Sequence, residues 1–399
     1  MKRASVLTLY HGNNNYGGVL QAYALSETIT SKGTPCEVID YRPTPMPLKI
    51  RIIHKIQEDG ITSMMAAVLR ISGGKVKDHL LHMATYSVNQ KIKRREERLE
   101  EFRKNEISHS TRVYTRENLA QTLEKYDLFV CGSDQIWNPG SSGQFNEDYW
   151  LEFVPSDIRK VAYAPSLTVS SLTISQREHI KYWLSSFDAV SVREVTAFTL
   201  LKEVTKGMNM DITCVLDPVF LISGVQWKQF SAPRQIDRGY VFAYLLGDNK
   251  RQRALIRKFA SEQNLKVVTI SYLLSRFRFC DLWFGDEKIY GADPKEFLSL
   301  IQYADYVFTD SFHGTVFSSL FHKKFWVFRR DTKGERRPMD HRVEGLMGLF
   351  ETEDRLLDED VEGRNLTEEI DYAEVDRRIE DGRKNSLRFL EHALEERGN

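Results

Sequence analysis

The sequence predicts an α/β protein of two Rossmann-like, doubly wound domains facing each other across a cleft. Three observations lead there. The chain opens with a strand, a Gly/Asn-rich turn, a helix and a second strand, a βαβ unit that implies a parallel sheet. Apolar runs then alternate with helix-like stretches in two successive series. The length, 399 residues, exceeds one ordinary core and suits two domains.

In the first series, residues 4–11 read as a strand, 12–18 as a tight turn, 19–31 as a helix and 36–41 as a second strand. Pro43, Pro45 and Pro47 break the pattern. An insert of about residues 45–110 follows, helical in character and basic, with thirteen Lys/Arg against seven Asp/Glu between Lys49 and Lys104. It reads as a solvated helical face, or as a surface for an anionic membrane. Strands at 126–131, 160–164, 189–192 and 213–216 resume the pattern, with helices at 174–185 and 194–201. Residues 205–211 read as the linker, so the expected domains are 1–205 and 212–365. The second series has strands at 240–246, 265–270, 306–309 and 325–328 and helices at 249–262, 294–302 and 313–321. Apolar residues at helical spacing predict a charged helix within 366–399.

Apolar residues make up 41% and charged residues 28%, and 56 Lys+Arg balance 56 Asp+Glu. A chain without net charge has no global field for nucleic acid, so no nucleic-acid partner is expected. No apolar run approaches a membrane span, and residues 6–10 are too short for a signal peptide, so a cytoplasmic location is expected. The four cysteines form no CxxC pair, and three of them sit inside apolar strand-like runs, so buried reduced thiols are the default reading. Neither a metal nor a cofactor is expected.

Open parallel sheets bind ligands beyond the carboxyl ends of their strands. Small, polar or ionisable residues fall at those ends in both halves. Asn15-Tyr16-Gly17-Gly18 opens the first helix, where glycines let backbone approach a ligand; the spacing does not fit GxGxxG. Either Ser133 and Asp134 bond sugar hydroxyls and Trp137 offers a face for a sugar ring, or Asp134 caps a helix turn and Trp137 is core. Pro165-Ser166 ends another strand. Arg193 directly follows an apolar strand, so it pairs with an acid or binds an anion. Adjacent Glu194 is a poor partner, because neighbouring strand residues point to opposite faces. Asp217-Pro218 ends a further strand. Asp310-Ser311-Phe312-His313-Gly314-Thr315 is the sharpest motif. His313 stands at strand end and helix start, suited to general acid/base work, while Ser311 and Thr315 offer hydroxyls to an anion. His341, in a charged loop, is the second histidine of interest.

Taken in order, these segments resemble the polysaccharide pyruvyl transferase family. The resemblance rests on Asn15-Tyr16-Gly17-Gly18 with Leu20-Gln21-Ala22, Gly132-Ser133-Asp134 with Trp137, Tyr163-Ala164-Pro165-Ser166, Ser191-Val192-Arg193-Glu194, Leu216-Asp217-Pro218 and Ser311-Phe312-His313-Gly314. It spans roughly residues 4–350. It implies a glycosyltransferase-B-like fold and transfer of pyruvate from phosphoenolpyruvate onto two sugar hydroxyls as a cyclic ketal. It implies His313 as general acid/base and Arg193 as a phosphoenolpyruvate contact; Asp134, as a carboxylate at a strand end, is expected to orient or deprotonate the acceptor. Asn15, Tyr16, Gly17, Gly18, Gln21, Ser133, Trp137, Ser166, Ser311, Phe312, Gly314 and Thr315 are the expected substrate-binding residues. The implied partners are phosphoenolpyruvate and a glycan or lipid-linked sugar acceptor, with peripheral contact at the inner membrane face. The family often has Arg two residues before the histidine. Ser311 stands there, so one anion contact is either missing or replaced by Arg329, Arg330, Lys333 or Arg342. A nucleotide-sugar glycosyltransferase and a non-catalytic glycan-binding protein are the competing readings.

Overall fold

The computed structural model describes residues 3–43, 75–139, 143–271, 273, 278–330, 340–357 and 364–395. The first sheet contains β1 (Ala4–Leu7), β2 (Cys36–Val38), β3 (Leu128–Cys131), β4 (Arg159–Ala162), β5 (Ala189–Val192) and β6 (Ile212–Cys214), in the order β2-β1-β3-β4-β5-β6. The second contains β7 (Tyr240–Tyr244), β8 (Lys266–Ile270), β9 (Glu287–Ile289), β10 (Tyr306–Thr309), β11 (Lys324–Phe328) and β12 (Leu356–Leu357), in the order β12-β11-β10-β7-β8-β9. Every pairing is parallel. Strands β1, β3 and β7 are buried at every position, as in sheets covered on both faces. This is the glycosyltransferase-B-like arrangement.

Ten helices among the described residues cover the sheets: α1 (Tyr16–Ser31), α2 (Lys75–Glu106), α3 (Ile174–Leu184), α4 (Val195–Val204), α5 (Gly224–Phe230), α6 (Lys250–Glu262), α7 (Pro294–Gln302), α8 (Phe312–Leu320), α9 (Asp340–Phe350) and α10 (Tyr372–Leu394). Local chemistry sets their starts. Asn15 caps α1 by accepting from the Gly17 amide, and Thr173 and Asp293 form capping boxes with Gln176 and Glu296. All of α8 is buried, which explains its small residues Gly314, Thr315, Ser318 and Ser319.

Three expectations change, and two helices bring contacts that link the domains. Strand β6 pairs with β5, so the first domain runs past residues 205–211, and the crossing follows at the 3-10 turn Pro218–Leu221. His341 belongs to α9 rather than a loop. Cys214, expected to be buried, is exposed. Helix α2 turns Arg95, Arg98 and Arg103 toward the protein and leaves Arg94 exposed. Arg95 is buried and donates to the Ser271 carbonyl at 3.0 Å. Arg98 holds Asp293 and Glu296 at 2.6 and 2.5 Å, and Arg103 reaches the Asn13 carbonyl. Leu99 and Phe102 join the core with Tyr10 and Leu25. This part of the insert straps the domains together along one face and keeps a solvated face on the other, where Lys93, Glu97 and Lys104 are exposed. Residues 44–74 of the insert lie outside the described residues. Finally, α10 returns to the first domain, where Arg159 donates to the Ala393 carbonyl at 2.7 Å and the Leu216 amide to Ser386 at 2.9 Å.

Candidate active site

The carboxyl ends of the two sheets meet at Asp217. This aspartate follows β6 and its side chain is fully buried. Its Oδ2 accepts a hydrogen bond from Arg193 Nη1 at 2.6 Å. The same oxygen lies 3.6 Å from His313 Nε2, longer than a hydrogen bond. Arg193 leaves the end of β5, and His313 sits in the first turn of α8. The two domains thus each present a cationic or ionisable group to one carboxylate. Burial pushes the Asp217 carboxyl up. The charges of His313 and Arg193 and the Val219 amide outweigh that and hold it well below the usual carboxylate range.

Around this core stand Asp134, Glu194 and Arg342. Arg193 Nη2 lies 3.7 Å from Asp134 Oδ1 and 3.8 Å from Glu194 Oε1. Arg342 comes from α9, with Nη1 3.9 Å from Asp134 Oδ1. Both guanidiniums lie over the Phe312 ring, at 4.5 and 5.9 Å from its centroid, a cation–π arrangement that keeps two like charges close. Burial, then the charge of Arg193, lower the Arg342 guanidinium to about 10. Arg193 Nε and Nη2 and His313 Nε2 are buried with no hydrogen-bond partner among the described residues. Beside the arginines a pocket of about 230 Å³ opens among α4, α9 and α10, with Val195, Leu346 and Leu349 as its apolar wall. The arrangement suits a small, multiply charged anion with proton transfer beside it.

The expected site residues divide. His313, Arg193, Asp134 and Phe312 come together. Trp137 does not join them: it is fully buried, stacked on Trp150 at 4.0 Å, with its indole N–H on the Tyr149 carbonyl. No ring face is left for a sugar. Tyr16 is likewise buried, stacked on Phe297 and bonded to the Ala292 carbonyl, so it joins the domains. Gln21 ties Thr8, the Gly18 carbonyl and the Ser133 amide, and buried Ser133 accepts from the Asp134 amide. Both position Asp134, whose φ of +66° is unusual outside glycine. Ser166 is buried and donates to Glu194. Asn15 caps α1 and Ser311 caps α8, while Thr315 donates to the Ser311 carbonyl. The glycines make room for protein. Gly17 faces the His313 ring, Gly18 the Asn13 amide and Gly314 the Thr309 side chain.

Asp217 and Arg342 were underrated in the sequence. Asp217 carried a signal as an acid at a strand end, and Arg342 only as one of four cations. Of the other three, Arg329 pairs with Glu344 at 2.8 Å, Arg330 donates to the Asp310 carbonyl at 2.9 Å, and Lys333 lies outside the described residues.

Similarity to known proteins follows the same lines. The family model for polysaccharide pyruvyl transferase matches residues 15–332. The chain belongs to the polysaccharide pyruvyl transferase family. That membership makes it a transferase enzyme of polysaccharide biosynthesis. No curated protein matches it. Among solved structures, the UDP-GlcNAc 2-epimerase of Methanocaldococcus jannaschii has 10% identity and a TM-score of 0.50, covering 95% of this chain and 92% of that one. The UDP-GlcNAc 2-epimerase of Neisseria meningitidis, bound to UDP-GlcNAc, has 11% identity and a TM-score of 0.48, covering 99% of each. At such identities the likeness concerns the fold alone. No helix among the described residues is long and apolar enough to cross a membrane.

Proposed function

We propose that this pyruvyl transferase takes pyruvate from phosphoenolpyruvate and sets it, as a cyclic ketal, on two hydroxyls of one sugar in a bacterial surface-polysaccharide precursor. The observation that supports this best is the convergence of Arg193 and His313, from opposite sheets, on Asp217. Phosphoenolpyruvate carries a phosphate and a carboxylate, and the two guanidiniums stacked on Phe312 match that charge. The backbone N–H groups at the start of α8 add a positive dipole end. His313 takes a proton from an attacking hydroxyl and returns it to the departing phosphate. Asp134 orients the acceptor. Positioning and electrostatics carry the catalysis, with phosphoenolpyruvate as co-substrate and no further cofactor. The acceptor is a glycan or lipid-linked sugar, met in the cytoplasm at the inner membrane face.

The nucleotide-sugar reading is weaker. A diphosphate would seek the free amides at the β7–α6 turn, beside the switch point of the second sheet. There the Leu246 and Gly247 amides both donate to Asp310 at 2.7 Å. Arg278 occupies the carbonyls of Leu245 and Leu246 at 3.1 and 2.9 Å.

The test is mass spectrometry of candidate acceptors after incubation with phosphoenolpyruvate. A pyruvyl increment with release of inorganic phosphate is expected, and His313→Ala should abolish it while the protein stays folded. Normal turnover by that variant, or heat of binding from nucleotide-sugars but none from phosphoenolpyruvate, would sink the reading.

A further inference from the structure

Ketal formation releases two protons from the sugar hydroxyls and consumes two, one at the methylene carbon of the donor and one with the departing phosphate. These transfers are spread over a carbon and three oxygens, which a second proton carrier on the donor side would serve alongside the imidazole. Three carboxyls surround Arg193. Asp217 is held ionised by Arg193 and His313, and Asp134 lies between the guanidiniums of Arg193 and Arg342. Glu194 differs. Its side chain is more than nine-tenths buried, and it lines the same pocket as Arg193, Asp217, Phe312 and Arg342. Ser166 donates to one carboxyl oxygen. The other, Oε2, is buried with no hydrogen-bond partner among the described residues. A buried, half-satisfied carboxyl is costly unless it holds a proton or meets a ligand.

We propose that Glu194 is the second catalytic proton carrier, donating to the methylene carbon of phosphoenolpyruvate and later recovering a proton from the second sugar hydroxyl. This rests on the donor reading above. Burial pushes the Glu194 carboxyl up, in the direction an acid needs, while its neighbour Asp217 is pushed the other way. Such divergence between adjacent carboxyls separates their roles.

The sequence balances. Glu194 gives its proton to the methylene carbon, which becomes methyl and leaves the central carbon electrophilic. The first hydroxyl oxygen bonds to that carbon and its proton passes to His313. The carbon–oxygen bond to phosphate breaks, and phosphate leaves with the His313 proton. The second hydroxyl closes the ring and its proton returns to Glu194. Both groups are restored, and the net products are ketal and phosphate.

The test uses Glu194→Gln, which keeps the shape and the Ser166 contact, with Glu194→Asp and Ser166→Ala beside it. Phosphoenolpyruvate is titrated into each protein calorimetrically, and turnover is followed in deuterium oxide on a panel of methyl hexosides. The wild type should place one deuterium in the pyruvyl methyl group. Glu194→Gln should turn over about 100- to 10,000-fold more slowly, with donor affinity unchanged within about threefold. Glu194→Asp should recover part of the rate, and Ser166→Ala should lose about tenfold in rate at constant affinity. Wild-type turnover by Glu194→Gln, or a loss explained wholly by weaker donor binding, overturns the role of Glu194 alone. Failure of the wild type to bind phosphoenolpyruvate overturns the donor reading and this inference with it.

Discussion

The His313 ring lies against Gly17, across the junction between the domains. A Cβ added at Gly17 would stand 2.0 Å from His313 Nδ1, far inside contact distance. The glycine at the start of α1 therefore shapes the place of the imidazole on α8. Gly17→Ala should displace the ring, with an overpacking cost of about 1–3 kcal/mol. Turnover should fall far more than donor affinity. Thermal unfolding and phosphate-release kinetics check both, and an alanine variant of full activity would refute this placement.

Asp217 anchors both sides of the site. Asp217→Asn should destabilise the protein by about 3–5 kcal/mol at neutral pH, because it leaves the buried Arg193 without its closest carboxylate. The carboxyl is depressed in the folded protein, so its contribution is fully present above its unfolded value of about 4. It fades as pH falls below that value toward the folded one. Denaturant titrations at pH 7 and pH 3 should show the gap between wild type and variant shrinking on the acid side. A constant gap would contradict the assignment.

Ser311 takes the place of the arginine of an Arg-x-His motif, and Arg342 is the second guanidinium over Phe312 beside Arg193. Arg342→Ala should weaken phosphoenolpyruvate binding about 10- to 100-fold, roughly the loss of one charge-assisted contact. Arg342→Lys should recover only part of it, because an ammonium has no plane to lay on Phe312. Calorimetry decides; equal affinity in all three proteins would exclude Arg342 from the donor site.

Trp137 separates a core role from a binding role. Trp137→Ala should cost about 3–5 kcal/mol of stability by opening a cavity against Trp150. The protein that remains folded should keep its KM for donor and acceptor. A selective rise in the acceptor KM would restore the sugar-stacking role.

Much of this molecule is local and can be read from the chain. Apolar runs set the strands, Asn15, Thr173 and Asp293 set helix starts, and the residues where runs stop mark the ligand end of each sheet. That is why Arg193 and His313 stood out, and why 189–192, 294–302 and 306–309 agree with β5, α7 and β10 to the residue. Partners are different, because they depend on how the two sheets face each other. Whether Arg193 meets Asp217, whether Arg342 reaches Phe312, and whether the basic insert turns to solvent or to the core are matters of burial between distant segments. A tryptophan at a strand end looks the same in sequence whether its face is open or stacked. The sequence alone determined the two parallel sheets and their chemical ends, through periodicity and short-range capping. The tertiary structure decided which charges share one buried carboxylate, because only domain packing removes the water that would otherwise keep them apart.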